Sequence, residues 1–387
     1  MLLHELELSR ILSFGPDAEP VELGPLNVLI GPNGSGKSNF IEAIGLLQAT
    51  PKDLAEHFRR SGGGSAWIWK GEPEACARIA AHISLPGAPG DRLRHRLAFR
   101  ASDLATWLED ERITDVPTEP GEAEIVHFRY DDHKQPVLGT HESEQARWRS
   151  RLTNKSSILS QVSEPVNYAE LWDLGHAYEQ IRLYRYWTFG RDAPPRRPQP
   201  ADLPNAYLLE DASNLGLVLN RFRGHIPTKK ALLEALGEVF EGITDFSVQI
   251  EGGTVQIFLE EDRWVIPAAR LSDGTLRWLA LLAVLLDPKP PPLVCIEEPE
   301  LGLHPDLVNV LARLLKSASE RMQLIVTTHS QALVDAFRDT PEVVLVCERH
   351  EGSTTMRRLD PDRLAEWLKE YSLGELWSKG VLGGNRW

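Results

Sequence analysis

Between the apolar run Val28-Leu29-Ile30 and a stretch carrying Phe40, Ile41, Ile44 and Leu47 three or four residues apart stands Gly31-Pro32-Asn33-Gly34-Ser35-Gly36-Lys37-Ser38. The run reads as a buried strand and the spaced residues as one face of a helix. The eight residues between them match the phosphate-binding loop G-x-x-x-x-G-K-[ST] in the strand–loop–helix setting it requires. Glycines let the backbone curl until successive N–H groups point at phosphate oxygens, and the following helix adds its positive end. Lys37 is expected to reach the β- and γ-phosphates of a nucleotide, and the Ser38 hydroxyl to ligate Mg²⁺. A glycine-rich turn without a ligand is the plainer alternative, and the flanking strand and helix argue against it. Gly31 through Ser38, with Asn39, are the expected ATP-binding residues.

A length of 387 residues implies one large domain with an insertion, or two domains. The composition is that of an ordinary soluble protein, and no apolar run approaches the ~18 residues that would span a bilayer. The first residues, Met1-Leu2-Leu3-His4-Glu5-Leu6-Glu7, alternate like a strand and lack a basic segment followed by an apolar one, so no signal peptide is expected. Cys76, Cys295 and Cys347 lie far apart without metal spacing, which suits buried thiols in a reducing cytoplasm. The net charge of −14 excludes a surface that is basic all over, though not a local basic groove.

Along the chain, strands are expected near 2–8 and 20–23, followed by the buried strand before the loop. Ser61-Gly62-Gly63-Gly64-Ser65 is a flexible break. Further strands near 76–85, 92–100 and 122–130 are separated by Pro/Gly turns and an acidic patch at Glu109–Glu111. Residues 141–189 read as mainly helical, Pro194–Pro204 as a stiff connector, and 212–223 and 228–240 as helices. Phe246, Val248 and Ile250, the pair Gly252-Gly253, then Val255 and Ile257 spell a hairpin. Continuous apolar runs at Leu293–Ile296, Leu324–Val326 and Val343–Val346 alternate with helices, as in a parallel sheet covered on both faces. The nucleotide core is thus split, with domains expected at 1–60, 61–245 (an inserted lobe) and 246–387.

Two carboxylates, Glu297 and Glu298, end the run Leu293-Val294-Cys295-Ile296, where ligands bind in parallel sheets. Glu297 fits the Mg²⁺ shell and Glu298 the polarisation of an attacking water. The next run, Leu324-Ile325-Val326-Thr327-Thr328, ends in His329, placed to hydrogen-bond a γ-phosphate. Ser272 and Gly274, in Leu271-Ser272-Asp273-Gly274-Thr275, precede the apolar helix Leu276–Leu286 and suit an anion at its start.

The order of these segments resembles an ABC-type ATPase head. GPNGSGKS at 31–38 is similar to its Walker A, LSDGT at 271–275 to its signature, and CIEEP at 295–299 to its Walker B with catalytic glutamate. Glu300-Leu301-Gly302-Leu303-His304-Pro305 is similar to its D-loop, and His329 to its switch histidine. Within that class the chain resembles the RecF/SMC/OLD-type branch, the ATP-binding proteins of bacterial defence and repair loci. Ser213-Asn214-Leu215, Val218-Leu219-Asn220, Tyr371–Trp377 and Gly383-Gly384 add to the likeness.

The resemblance implies an α/β P-loop head with a split core: a mostly parallel sheet flanked by helices, an N-terminal antiparallel β-unit and an inserted mixed α/β, partly helical lobe. It departs from the family where Glu297 stands for the usual Asp. The Q-loop glutamine, a metal ligand, has Gln161 as its first candidate and Gln135 as its second. Too few residues follow the switch region for a fused nuclease, so any nuclease is expected on a separate chain.

The resemblance also implies a homodimer or higher homo-oligomer in which Ser272 and Gly274 of one protomer face the ATP held by Lys37 and Ser38 of another. Glu298 and His329 are the expected catalytic residues, and ATP with Mg²⁺ the cofactors. Arg92, Arg94, Arg96 and Arg100 alternate onto one strand face. With Arg147, Arg149, Arg151 and Tyr184-Arg185-Tyr186-Trp187 they fit a phosphate-lined groove, or else a solvated edge strand. The expected roles are a DNA-associated ATPase of repair or phage defence, or a nucleotide-gated scaffold holding a toxin or nuclease chain. A membrane-transporter subunit is disfavoured by the large mixed insert.

Overall fold

Alternating apolar residues from Leu3 to Ser9 begin a sheet whose inner face carries Leu3, Leu6 and Leu8, each almost fully buried. The computed structural model describes residues 1–85, 92–102, 105–117, 124–139 and 152–384. Its contacts divide the chain into two units, Met1–Ile181 with Glu342–Leu359 and Gly380–Trp387, and Arg182–Pro341 with Asp360–Lys379.

The first unit holds a seven-stranded antiparallel sheet in the order Val21–Glu22, Leu3–Ser9, Ala77–Ser84, Arg92–Ala101, Thr106–Asp115, Val126–Tyr130, Pro136–Leu138. Phe58, Trp67 and Phe99 pack ring against ring beneath it. The same unit contains the buried strand Leu26–Ile30, paired in parallel with Val344–His350, which in turn pairs antiparallel with Ser353–Arg358. The helix Lys37–Ala49 follows the loop.

In the second unit Leu293–Glu297 runs parallel to Gln323–Thr327 on one side and to Arg182–Tyr184 on the other. The hairpin expected at 246–257 spans Ile243–Glu251 and Thr254–Glu261, closed by Gly252 and Gly253 at positive φ. The helix Asp273–Leu285 is buried from Thr275 onward on every side, while Leu307–Ser319 keeps one apolar face.

Several expectations change. Residues 61–245 do not stand apart as one lobe: Ala77–Ser84 pairs with Leu3–Ser9 and extends the N-terminal sheet, whereas Arg182–Tyr184 joins the carboxylate strand. Glu109–Glu111 is not a break, because it lies within the strand Thr106–Asp115, with Glu111 turned into the core. Arg92–Ala101 is a central strand, paired on both sides, rather than an edge. Of 141–189, the part up to 151 lies outside the described residues. The remainder gives the helices Ile158–Gln161 and Ala169–Glu179 and the strand Arg182–Tyr184. Pro194–Pro204 contains a short 3-10 turn and a two-residue strand paired with Thr254 and Val255. All three cysteines are buried, and burial pushes the Cys347 thiol up to about 12.

Candidate functional site

The strand Leu26–Ile30 is buried at every position and delivers the chain to Gly31. Gly31 has φ +148°, and a Cβ there would lie 2.3 Å from the Cys347 carbonyl oxygen. Gly36 has φ +104°, and its Cβ would lie 2.2 Å from Thr354 Oγ1. Both positions therefore need glycine for space and for conformation. Lys37 is buried and folds back over the loop, donating from Nζ to the Gly31 carbonyl at 2.7 Å and to the Pro32 carbonyl at 3.1 Å. No acidic residue sits in the first turn of Lys37–Ala49, so the positive helix end is not offset there. Among the described residues Ser35 Oγ is buried without a hydrogen-bond partner, and Ser38, three residues on, is exposed. This donor set fits a triphosphate with its Mg²⁺: a curled backbone, an ammonium, a helix start and the exposed Ser38. Within the same unit Gly34 and Asn39 border a cavity of about 450 Å³ also lined by Leu12, Trp69, Lys70 and Arg349.

In the second unit Glu297 and Glu298 emerge at the end of their strand. Glu297 Oε1 accepts the Arg185 Nε–H at 3.0 Å, and both side chains are largely buried. Glu298 takes φ +45°, a left-handed stance that costs a non-glycine residue roughly 1 kcal/mol. Its carboxylate is half-exposed, with His329 Nε2 3.7 Å from Oε1. Glu300 Oε1 accepts the Thr328 hydroxyl at 2.5 Å and the His329 N–H at 3.2 Å. Burial pushes the Glu300 carboxyl above its ordinary value, although those hydrogen bonds oppose the shift. Burial also lowers the Arg277 guanidinium from its ordinary value, against the pull of Glu300 and Glu298.

Ser272 caps the helix Asp273–Leu285, its Oγ accepting the Thr275 N–H at 3.0 Å. Ser272 and Asp273 are exposed and Gly274 half-exposed, while Leu271 and Thr275 are buried. Arg196 braces this turn, donating to the Leu271 carbonyl at 2.6 Å and to the Asp273 carboxylate. Asp273, Gly274 and Arg277 line a groove of about 310 Å³ together with Trp187, Phe189 and Leu301.

Of the expected site residues, Gly31 to Asn39 lie in the first unit, and Glu297, Glu298, His329, Ser272 and Gly274 in the second. Gln161 is placed otherwise. Its Oε1 accepts the Thr153 N–H at 2.8 Å, and its Nε2 donates to the Thr153 and Ser156 carbonyls at 2.9 and 2.8 Å, which holds a loop. Gln135 closes a turn with Asp131. The side chain brought to Glu297 is Arg185, which the aromatic-basic run 184–187 had offered as a companion to a phosphate-lined groove. Tyr184 from the same run is buried, with its hydroxyl donating to the Leu208 carbonyl. Arg147, Arg149 and Arg151 lie outside the described residues. Sequence reading missed Arg185, Arg196 and Arg277 at these positions, since arginines without a motif carry no local signal, and it read Glu300 only as the first residue of the segment similar to a D-loop.

A family model described as "AAA domain, putative AbiEii toxin, Type IV TA system" matches residues 26–335. No curated protein matches the chain. Among solved structures the chain is similar to an SMC head bound to the C-winged helix domain of ScpA, at 15% identity, 94% coverage of this chain, 99% of that chain and a TM-score of 0.58. It is also similar to an SMC head from Pyrococcus furiosus with an extended coiled coil, bound to the C-terminal domain of ScpA, at 15% identity, 96% and 99% coverage and a TM-score of 0.55. A third, the SMC head of Pyrococcus yayanosii with a coiled coil and joint, gives 14% identity, 96% and 99% coverage and a TM-score of 0.52. At such identities the likeness is one of fold, an SMC-type α/β head. Among the described residues no helix is long and apolar enough to cross a membrane. With the phosphate loop, the paired carboxylates and the capped serine turn all inside the matched span, the chain belongs to this AAA-domain family, and its fold is that of an SMC-type head.

Proposed function

We propose that the chain binds ATP on Gly31–Asn39 and hydrolyses it slowly in a head-to-tail pair. In that pair Ser272 and Gly274 of one protomer close over the nucleotide held by the other. The observation that carries this reading is the exposure of the Ser272–Gly274 turn at the start of an otherwise buried helix. A helix start exposed in this way can meet an anion brought by a second copy. Ser38 and Glu297 would hold Mg²⁺, which would supply neutralisation of the phosphate charge. Lys37 would swing from the Gly31 carbonyl to the β- and γ-phosphates. Glu298 would take the proton of the attacking water, and His329 would donate to the γ-phosphate oxygen. A γ-phosphate shared by two surfaces joins them, and its loss on hydrolysis releases them.

Glu298→Gln tests the assignment. It should retain ATP binding, accumulate an ATP-bound dimer by light scattering, and lower hydrolysis ~10²- to 10⁴-fold, the usual share of a general base. Hydrolysis at the wild-type rate would remove Glu298 from that role.

For the process served, a DNA-associated switch in repair or phage defence is favoured by one register. Arg96, Arg112 and Arg129 stand directly opposite one another on adjacent strands; Glu124 pairs with Arg112, and Arg96 and Arg129 are exposed on either side, where a phosphate backbone could lie across them. ATPase stimulation by DNA that fades steeply with salt is the expected sign. The family description, with its toxin–antitoxin wording, supports a second reading, a nucleotide-gated scaffold for a separate toxin or nuclease chain. Stable co-purification with such a chain and DNA-independent turnover would favour it. Three buried thiols suit a cytoplasmic setting for either.

A further inference from the structure

The strand Arg182–Tyr184 runs parallel to Leu293–Glu297 with Tyr184 opposite Ile296. The next residue along each line, Arg185 and Glu297, therefore stand side by side. Both neighbours of the arginine's turn are pinned: the Tyr184 hydroxyl donates to the Leu208 carbonyl at 2.8 Å, and the Trp187 Nε1–H to the Glu210 carbonyl at 2.9 Å. The guanidinium lies over the Tyr186 ring, 5.0 Å from its centroid, and its Nε–H donates to Glu297 Oε1 at 3.0 Å. With the two side chains only 14% and 13% exposed, the pair is little screened by water or salt.

Glu297 is the carboxylate read above as part of the Mg²⁺ shell. A carboxylate can hold a cation through one oxygen or through both. Here Oε1 faces a guanidinium that stays charged at any working pH. A metal ion set against that same oxygen would meet like charge, so Glu297 is left to ligate through one oxygen. Hard cations differ on this point. Mg²⁺ is small, octahedral and content with single carboxylate oxygens beside phosphate oxygens and water. Ca²⁺ is larger, takes about six to eight oxygens and often takes a carboxylate by both.

We propose, on the reading that Glu297 belongs to the metal shell, that Arg185 sets the metal preference of the site. By occupying Oε1 it confines Glu297 to one-oxygen ligation and favours Mg²⁺ over Ca²⁺ in the nucleotide complex. Arg185 acts through Glu297 and is thus a positioning residue. The pair does this as it stands. An ionised carboxylate has about four lone-pair sites, so the two side chains need not part when a metal arrives.

The full chain, as wild type, Arg185→Met, Arg185→Lys and Glu297→Gln, is titrated with a fluorescent ATP analogue in EDTA, in saturating Mg²⁺ and in saturating Ca²⁺. Wild type should bind the analogue ~10-fold more tightly with Mg²⁺ than with Ca²⁺, the scale on which a hydrogen-bonded neighbour tunes a metal ligand. Arg185→Met should bind it ~5-fold more tightly with Ca²⁺ than wild type does, so that the preference falls to about twofold. Arg185→Lys keeps a cation beside Oε1 and should keep most of the preference. An arginine that served only the fold would lower the melting temperature and leave the ratio alone. A wild type without preference overturns the proposal, and so does an Arg185→Met chain that keeps the wild-type ratio.

Should Arg185→Met fail to fold, Glu297→Asp decides. Its arm is one methylene shorter and parts the pair from the other side, so the preference should fall likewise, and an unchanged ratio overturns the proposal. Glu297→Gln separates the two levels. If it leaves the gain of metal over EDTA intact, Glu297 holds no metal, and its place in the ATPase site fails together with the proposal. If the gain is lost but Arg185→Met keeps the wild-type ratio, the proposal alone fails.

Discussion

Glu300 occupies a site where its charge is poorly accommodated. Burial raises its carboxyl above the ordinary 4.5, and hydrogen bonds from the Thr328 hydroxyl, its own backbone N–H and the His329 N–H oppose the shift. A carboxyl raised in the folded state binds its proton more tightly than in the unfolded chain. Its contribution to stability is thus fully present below pH 4.5 and is lost as pH rises through the raised value. Glu300→Gln keeps the shape and an acceptor for Thr328 but has no proton to lose. Its melting temperature should fall less between pH 5 and 8 than that of the wild type, as differential scanning fluorimetry would show. Parallel pH profiles would mean that Glu300 keeps its proton throughout. At this scale the sequence spoke clearly only where chemistry imposes a motif. Gly31, Lys37, Ser272, Glu297 and Glu298 could be read because their neighbours are fixed by the same task. Arg185 and Arg196 reach partners 112 and 77 residues away, and nothing local marks such a side chain.

At the scale of elements, periodicity served well where one face is apolar and failed where a charge is buried. Thr106–Asp115 was hidden by Glu109, Asp110 and Glu111, which together read as a solvated break. The structure explains Glu111. Its carboxylate accepts the Ser157 hydroxyl at 2.5 Å and the Ile158 N–H at 2.8 Å, and stands 3.2 Å from His95 Nε2, whose Nδ1 is 3.1 Å from the Tyr178 hydroxyl. All of it is fully enclosed. One inward acid therefore caps a helix start and anchors a strand. Glu111→Ala should lower stability by about 3 kcal/mol or more, since each buried polar group left unpaired costs roughly 1–3 kcal/mol. The urea midpoint should drop with little change in slope. Glu111→Gln, which keeps an acceptor, should cost less than half as much. Equal losses for both variants would show that the negative charge, rather than the hydrogen-bond count, holds the network.

Across the whole molecule, the phosphate loop depends on chain more than 300 residues further on. The family model ends at 335, yet the strand Val344–His350 supplies the parallel partner of Leu26–Ile30. The hairpin that follows brings Thr354, fully buried, to 3.0 Å from the Ser35 carbonyl oxygen and 2.7 Å from Ser13 Oγ. The Thr354 N–H donates to the Ser13 carbonyl at 2.7 Å. The tail beyond is tied to the same hairpin, with Arg357 donating to the Leu382 carbonyl at 2.9 Å and the Gly384 N–H to Glu348 at 2.9 Å. The strand itself was legible as the apolar run Val343–Val346, but its pairing with Leu26–Ile30 and the hairpin behind the loop were not, because a parallel strand's partner is set by topology rather than by spacing. Thr354→Val preserves volume and removes one hydrogen bond to the loop backbone, so ATP affinity should fall ~5-fold, the equivalent of about 1 kcal/mol. A chain ending at Pro341 keeps Walker A, signature, Walker B and His329 but loses Cys347 and Thr354, against which Gly31 and Gly36 pack. It should bind a fluorescent ATP analogue no better than a Lys37→Ala full-length chain does. Wild-type affinity in that shortened chain would mean that the loop holds its shape without the hairpin, and that the close approach at 31 and 36 is packing without consequence for the nucleotide.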